Sequence, residues 1–411
     1  MVGAGLAATR TVAALRAAGF DGRIHVLGAE GLPPYDRPPL SKHLLDQPAP
    51  AWLSDDLGVD VLALADRVDL ASPARALLLD DAARPGVQTD DGPLRADHVV
   101  IATGARAVRP SAWSAARTLH TAADAEALRA ALRPGGRLVV IGAGWIGAEV
   151  AGGVAAAGGA VTVVEATTAP LSAALGARVG AVTAPWYAAA GVDLVLGVSV
   201  AAVEVGRVTL SDGRRLGAGT VLAAVGARPD TAWLGDSVPR DPAGAVRVDE
   251  RYAVLSGRRT VPGLWAVGDA AVRRSARHGW VPGGHWDGAL RGPEVLVRHL
   301  LGSEAGAGDD PADDPAPEVF STQLGHDLVL LGQPGPADEP VLRGDPGSGA
   351  GWSVLWLAGR QVSAVLVVDR HREVGAARRA FTGATLPLVD PVAAADADLS
   401  LRSLLSRPPA A

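Results

Sequence analysis

The sequence predicts an α/β fold: two Rossmann-like dinucleotide-binding domains followed by a small C-terminal α/β domain. Three observations predict it. A strand, a Gly-x-Gly-x-x-Gly turn, a helix and a second strand follow one another over residues 137–165, and a shortened copy of the same unit opens the chain. Two later apolar strands also end in glycine turns, at Gly226 and at Gly268. Beyond a Gly-, Ala-, Asp- and Pro-rich stretch at 302–317, the last hundred residues hold apolar strands and one helix, which read as a separate small α/β domain.

Taken in order, Met1 and Val2 run into Gly3, Gly5, Ala7 and Ala8, and an Ala- and Leu-rich helix extends to residue 19. The next strand, 23–27, leads to Glu30. Only two residues precede the glycines, whereas a central parallel strand needs about five. Either the true start lies upstream or the first domain is incomplete; the former is the expectation. Residues 32–41 carry four prolines and read as an irregular loop. Residues 99–104 (VVIATG) read as a buried strand ending in a turn. The second unit is complete, with strand 137–141, glycines at 142, 144 and 147, a helix bearing Glu149, and a strand 161–164 closing on Glu165. Strands are expected at 328–331, 352–357 and 362–368, and a helix at 374–381. The domains therefore fall at 1–107 with 235–302, at 108–234, and at 318–411, with 303–317 as linker.

Composition bounds the function. For 411 residues, roughly 100–200 per domain gives two to four domains, and 48% hydrophobic residues suffice for sizeable cores. A net charge of −6 and a pI near 5.9 argue against a nucleic-acid partner. With no cysteine, disulfides, CxxC redox pairs, thiolate zinc and cysteine-bound iron–sulfur clusters are excluded within the chain. No basic leader precedes an apolar run, and no run approaches the ~18 apolar residues that cross a membrane. A cytoplasmic protein is expected.

The glycine turns carry the chemistry. Glycines at a strand end let the backbone approach a pyrophosphate, and the helix behind them offers unpaired N–H groups and a partial positive charge. An acidic residue closing the following strand accepts hydrogen bonds from the ribose hydroxyls. Gly142, Gly144, Gly147 and Glu165 meet all of these conditions; Gly3, Gly5, Ala8 and Glu30 meet them apart from the short strand. The alternative for either unit is a tight turn in an unrelated sheet. Glu165 would repel a 2′-phosphate, and no arginine follows it directly, so NADH is favoured over NADPH.

Tyr35-Asp36-Arg37-Pro38-Pro39-Leu40-Ser41-Lys42, the segment GAGWIGAE at 142–149, Ala102-Thr103-Gly104, Ala266-Val267-Gly268-Asp269-Ala270, His285-Trp286 and PEVFSTQLG at 317–325 together resemble the FAD-dependent ferredoxin reductases, which serve rubredoxin, putidaredoxin and dioxygenase systems. The resemblance spans essentially the whole chain and is weakest after residue 302. It implies FAD in the first unit and NADH in the second. It implies that Asp269 binds the ribitol, Arg37 the FAD phosphates and Val68 the adenine side. By the same resemblance Lys42 lies near flavin N5, Glu149 near the nicotinamide, and Trp286 against the flavin or nicotinamide ring, making these three the catalytic candidates. Ala7, Ala102, Thr103, Gly104, Arg106, Ile146, Gly226 and Gly268 complete the cofactor-binding set. A buried Lys–Glu pair is physically sensible, since either charge alone is costly to bury. The bland alternatives are a surface lysine at 42 and core packing for Trp286.

Three departures stand out. Gly284 replaces a usual Glu, His120 a common Arg, and Phe320-Ser321-Thr322 the usual Trp-Ser-Asp. Ser41 and Ser321 have no neighbouring base that would make a nucleophile. Arg273, Arg274 and Arg277 read either as a solvated face or as a docking patch for an acidic ferredoxin. The implied reaction is hydride transfer from NADH to FAD, then single electrons to an iron–sulfur protein feeding an oxygenase or cytochrome P450. The rivals are an NADH oxidase or diaphorase without a protein acceptor, and a non-catalytic dinucleotide-binding paralogue.

Overall fold

The computed structural model describes residues 1–79, 84–133, 135–302 and 313–406. Most of the expected linker, 303–312, lies outside them.

Val2 bridges Leu27 on one side and Ile101 on the other, both in parallel. Its N–H donates to Val100 O at 2.9 Å and its carbonyl accepts from Ala102 N at 2.7 Å. Helix α1 (Leu6–Ala17) follows, then strand β1 (His25–Leu27) and, after the proline loop, strand β2 (Val99–Ile101). Val2, buried at 3% exposure, sits between β1 and β2. The strand Arg67–Asp69 lies parallel to β1, outside it.

The second unit opens with β3 (Arg137–Ile141), α2 (Trp145–Ala156) and β4 (Ala160–Glu165). With Asp193–Leu196 outside β4 and β5 (Thr220–Ala223) beside β3, these form a four-stranded all-parallel sheet. Strand β3 is apolar on both faces after Arg137 because both are covered: Leu138 and Val140 pack under helices with Leu128 and Val150, and Val139 and Ile141 pack on a three-stranded antiparallel sheet through Val203, Val208 and Leu210. The chain returns to the first unit through β6 (Arg259–Ala266), which pairs in parallel with β2, and through α3 (Trp286–Leu300), which packs on α1.

The C-terminal sheet is five-stranded and antiparallel. Its first strand is β7 (Glu318–Gln323), followed in the sheet by His326–Gly332, Gln361–Val368, Trp352–Ala358 and Glu339–Arg343. The outer strands β7 and Glu339–Arg343 have no counterpart in the expected elements; short polar-interrupted runs carry little periodic signal. Its inner face merges with the core of the second unit, where Leu324, Leu328 and Trp352 cluster with Val154 and Trp186. Gly152 of α2 makes that approach feasible: a Cβ there would stand 2.7 Å from Leu324 N. Arg343, with 0% exposure, donates to Ala394 O at 2.6 Å and to Leu399 O, pinning the terminal helices to the sheet. Among the described residues no helix is long and apolar enough to cross a membrane.

Candidate functional site

The two glycine turns share one geometry. Gly3 and Gly142 have φ +107° and +105°, and a Cβ on them would lie 2.1 Å from Ala102 O and 2.4 Å from Ala224 O. Only glycine fits either place. Gly147 packs as tightly, a Cβ meeting Gly142 O at 2.1 Å, whereas Ala8 takes the third position of the first unit and is fully buried. Gly5 and Gly144 differ in kind. Each is the N-cap of its helix, neither receives a side-chain cap, and a Cβ on either would meet nothing within 4 Å. Each helix thus presents uncapped N–H groups to an open cradle, which fits a pyrophosphate in both units.

Around the second cradle, Glu165 at the end of β4 accepts from Ala143 N at 2.8 Å with one oxygen and from Thr167 N at 2.8 Å with the other. Its carboxylate is therefore held at the rim. Ile146 is exposed on the first turn of α2, and Gly226 (φ +106°) turns the chain after β5. Around the first cradle, Gly268 (φ +71°) abuts Ala7, and Asp269 Oδ1 accepts from Gly284 N at 2.8 Å. Gly284 itself has φ +97°, so the residue that departs from the expected Glu supplies a backbone turn and a donor. His285 Nδ1, next in sequence, is buried without a protein partner, a polar atom available to a ligand. Val68 is half-buried opposite Val26, and Ala102, Thr103 and Gly104 form the turn after β2, with Thr103 Oγ1 donating to Asp230 O at 2.7 Å. Arg106 lies in the two-stranded ribbon Ala105–Ala107 with Ala227–Pro229 that joins the units, 3.8 Å from Asp230.

The proline loop brings two of the expected residues, Glu30 and Arg37, together. Glu30 accepts from Arg37 at 2.6 Å and from the Tyr35 hydroxyl at 2.5 Å; burial pushes that phenol up to about 12. Arg37 also donates to His120 O. Burial, with the Arg37 charge behind it, lowers the His120 imidazole pKa.

Lys42 ends the short helix Pro39–Lys42 and forms an ion pair with Glu149 of α2; their side chains are 16% and 5% exposed. Glu149 also accepts from Ser41 Oγ at 2.5 Å and from Ser321 Oγ of β7 at 2.6 Å. Phe320 places its ring centroid 5.2 Å from Lys42 Nζ and packs edge-on against Trp286 at 6.0 Å. Trp286 Nε1 donates to Asp36 Oδ1 at 2.7 Å, which opposes the upward push of burial on that carboxyl. Lys42, Glu149 and Trp286 thus gather around Phe320 and Ser321 on the first strand of the C-terminal sheet.

Sequence reasoning missed Ser41, Ser321 and Asp36, because it sought a nucleophile's base and not a carboxylate's donors. Ser41 adjoins Lys42 and was within reach; for Ser321, 172 residues from Glu149, no local signal existed. The arginine cluster needs correction. Arg273 and Arg277 are buried against Asp314, at 2.7 and 3.4 Å with side chains 5% exposed, and Arg274 forms a two-pronged pair with Glu250 at 2.8 Å. Arg273 and Arg277 clamp the approach to the C-terminal domain and are not an open docking patch, whereas Arg274 is a solvated, paired surface residue.

Residues 1–288 match the pyridine nucleotide-disulphide oxidoreductase family, and residues 319–405 match the reductase C-terminal family. The chain is 33% identical over 399 residues to the ferredoxin–NAD(+) reductase component of the biphenyl dioxygenase system of Paraburkholderia xenovorans, covering 92% of this chain and 91% of that one. It is 30% identical over 427 residues to putidaredoxin reductase of Pseudomonas putida, covering 97% and 98%. A solved covalent putidaredoxin reductase–putidaredoxin complex superposes with a TM-score of 0.86 at 27% identity, over 98% of this chain and 96% of that one.

Proposed function

The chain belongs to the pyridine nucleotide-disulphide oxidoreductase family, and from that premise we propose an FAD-dependent reductase that takes a hydride from NADH and passes single electrons to a ferredoxin-like iron–sulfur protein. The observation that carries the proposal is the Lys42–Glu149 pair, buried on the helix that opens from the second of two uncapped glycine cradles, in a chain without cysteine. With no thiol to receive electrons, the exit must lead to an external acceptor. FAD, when bound, supplies what no side chain here can: acceptance of two electrons at once and their release one at a time.

Each residue then has a task. The uncapped N-termini of α1 and α2 hold the two pyrophosphates; Glu30 and Glu165 take the ribose hydroxyls; Asp269, fixed by Gly284 N–H, takes the ribitol. Arg37, now tied to Glu30, stands beside the first cradle and would turn to its phosphates. Ala7, Val68, Ala102, Thr103, Gly104, Arg106 and Gly268 would line the FAD side, and Ile146 and Gly226 the NADH side. Lys42 holds a positive charge at the reacting centre, and Glu149 balances it so that neither is left uncompensated. Trp286, held by Asp36, excludes water from one side. Glu165 supports NADH over NADPH, since a carboxylate fixed at both oxygens by backbone N–H groups at the rim of the second cradle would repel a 2′-phosphate. The domain limits follow as 1–107 with 235–302 for FAD, 108–234 for NADH, 303–317 as connection and 318–411 for the C-terminal domain. An oxygenase or cytochrome P450 would lie beyond the iron–sulfur partner.

An anaerobic visible spectrum before and after one equivalent of NADH tests the proposal. A flavin spectrum that bleaches with NADH and returns on adding an oxidised ferredoxin is expected. A spectrum that NADH leaves unchanged, or that air restores as fast as ferredoxin does, overturns it.

A further inference from the structure

We propose that Ser321 is a positioning residue for the Lys42–Glu149 pair, and that through it the C-terminal domain sets the rate of hydride transfer. This rests on the role given above to that pair. The Glu149 carboxylate gathers three donors from two distant segments: Lys42 and Ser321 on Oε1, Ser41 on Oε2. Ser41, Glu149 and Ser321 are 8%, 7% and 2% exposed, so water does not compete for these bonds. Gln323 Nε2 donates to Ser321 Oγ at 3.3 Å, occupying a lone pair of the hydroxyl and leaving its proton for Glu149.

The placement is fixed by the strand. Alternation along β7 turns Ser321 and Gln323 inward and leaves Phe320 and Thr322 exposed, and Ser321 is registered opposite Leu328. A one-residue slip would withdraw the hydroxyl altogether. Against the other side, α2 comes close through Gly152. A carboxylate held only by a flexible lysine can swing; one held at both oxygens by hydroxyls from separate rigid segments cannot, and Lys42 is oriented with it. Ser321 acts through Glu149.

The test is stopped-flow reduction of the FAD-loaded protein by NADH under anaerobic conditions, with S321A, S321T, E149A and the S321A/E149A double variant. Losing one hydrogen bond to a buried charged group should slow the limiting rate of S321A by roughly tenfold or more. The half-saturating NADH concentration and flavin content should stay the same. S321T, which keeps the hydroxyl, should recover most of the rate, and adding S321A to E149A should cost nothing further. If S321A does not fold, S321C takes its place, its thiol being a weak donor of similar volume. Slowing in S321A that multiplies with that of E149A, a threonine no faster than alanine, or an S321A rate equal to wild type beside a slow E149A each overturns the inference. A wild-type rate in E149A overturns the role of the pair itself.

Discussion

Replacing Glu165 with Gln should move the enzyme from NADH toward NADPH, and the structure sets the size of the change. The side chain keeps its length, and one oxygen can still accept from Ala143 N or from Thr167 N, both at 2.8 Å in the parent, so the loop should hold its place. What changes is the charge. Hydrogen bonds from ribose hydroxyls to a charged acceptor contribute about 1.5–3 kcal/mol each and to a neutral one about 1. NADH should therefore lose on the order of tenfold in kcat/KM. A 2′-phosphate seated about 4 Å from the carboxylate meets a repulsion of about 4 kcal/mol per unit charge at an effective dielectric of 20. The site is half-buried, so screening reduces this, and a gain of roughly 30- to 300-fold for NADPH remains. Steady-state kcat/KM for both nucleotides with ferricyanide as acceptor measures the ratio. A NADPH/NADH ratio within about threefold of wild type would refute the assignment of Glu165 to the ribose.

Three further outcomes are expected. Gly5→Val should leave the fold intact but abolish FAD uptake, because its side chain grows into the open cradle, while Gly3→Val should unfold the first unit against Ala102 O; thermal melting and flavin content separate the two, and a G5V protein that stays yellow sinks the cradle. Asp314→Ala strands two guanidinium groups with 5% exposed side chains and should cost about 3–5 kcal/mol in urea unfolding. The ferredoxin reduction rate of the protein that remains folded should not change; a selective loss of that rate would restore the docking-patch view of these arginines. Burial lifts the Asp287 carboxyl from 3.8 to about 6, so the folded state binds its proton more tightly than the unfolded chain. Stability from this group is complete below about pH 4 and is lost as pH rises through 6. Asp287→Asn should gain on wild type across that window by roughly 1–3 kcal/mol, and a melting-temperature difference that is flat with pH contradicts this.

The two nucleotide units were legible because their signals are local. Gly142, Gly144, Gly147 and Glu165 lie within one strand–helix–strand segment, and backbone approach and helix N-termini constrain residue type at fixed spacing. The proline loop with Lys42, the Asp269 turn and the absence of cysteine belong to the same class. Hydrophobic runs likewise located the inner strands of the C-terminal sheet. Where the sequence misled, the partner was remote. Arg273 and Arg277 looked like a charged surface until Asp314 closed over them. Ser321 carried no periodicity that pointed to Glu149, and Asp36 none that pointed to Trp286. By itself the sequence determined which backbone turns can cradle phosphate and which chemistry a thiol-free chain must use, since those follow from φ, side-chain volume and residue type. The tertiary structure alone decided which donors surround Glu149 and which charges are neutralised, because those depend on distance in space, and burial makes each such pairing a large energy.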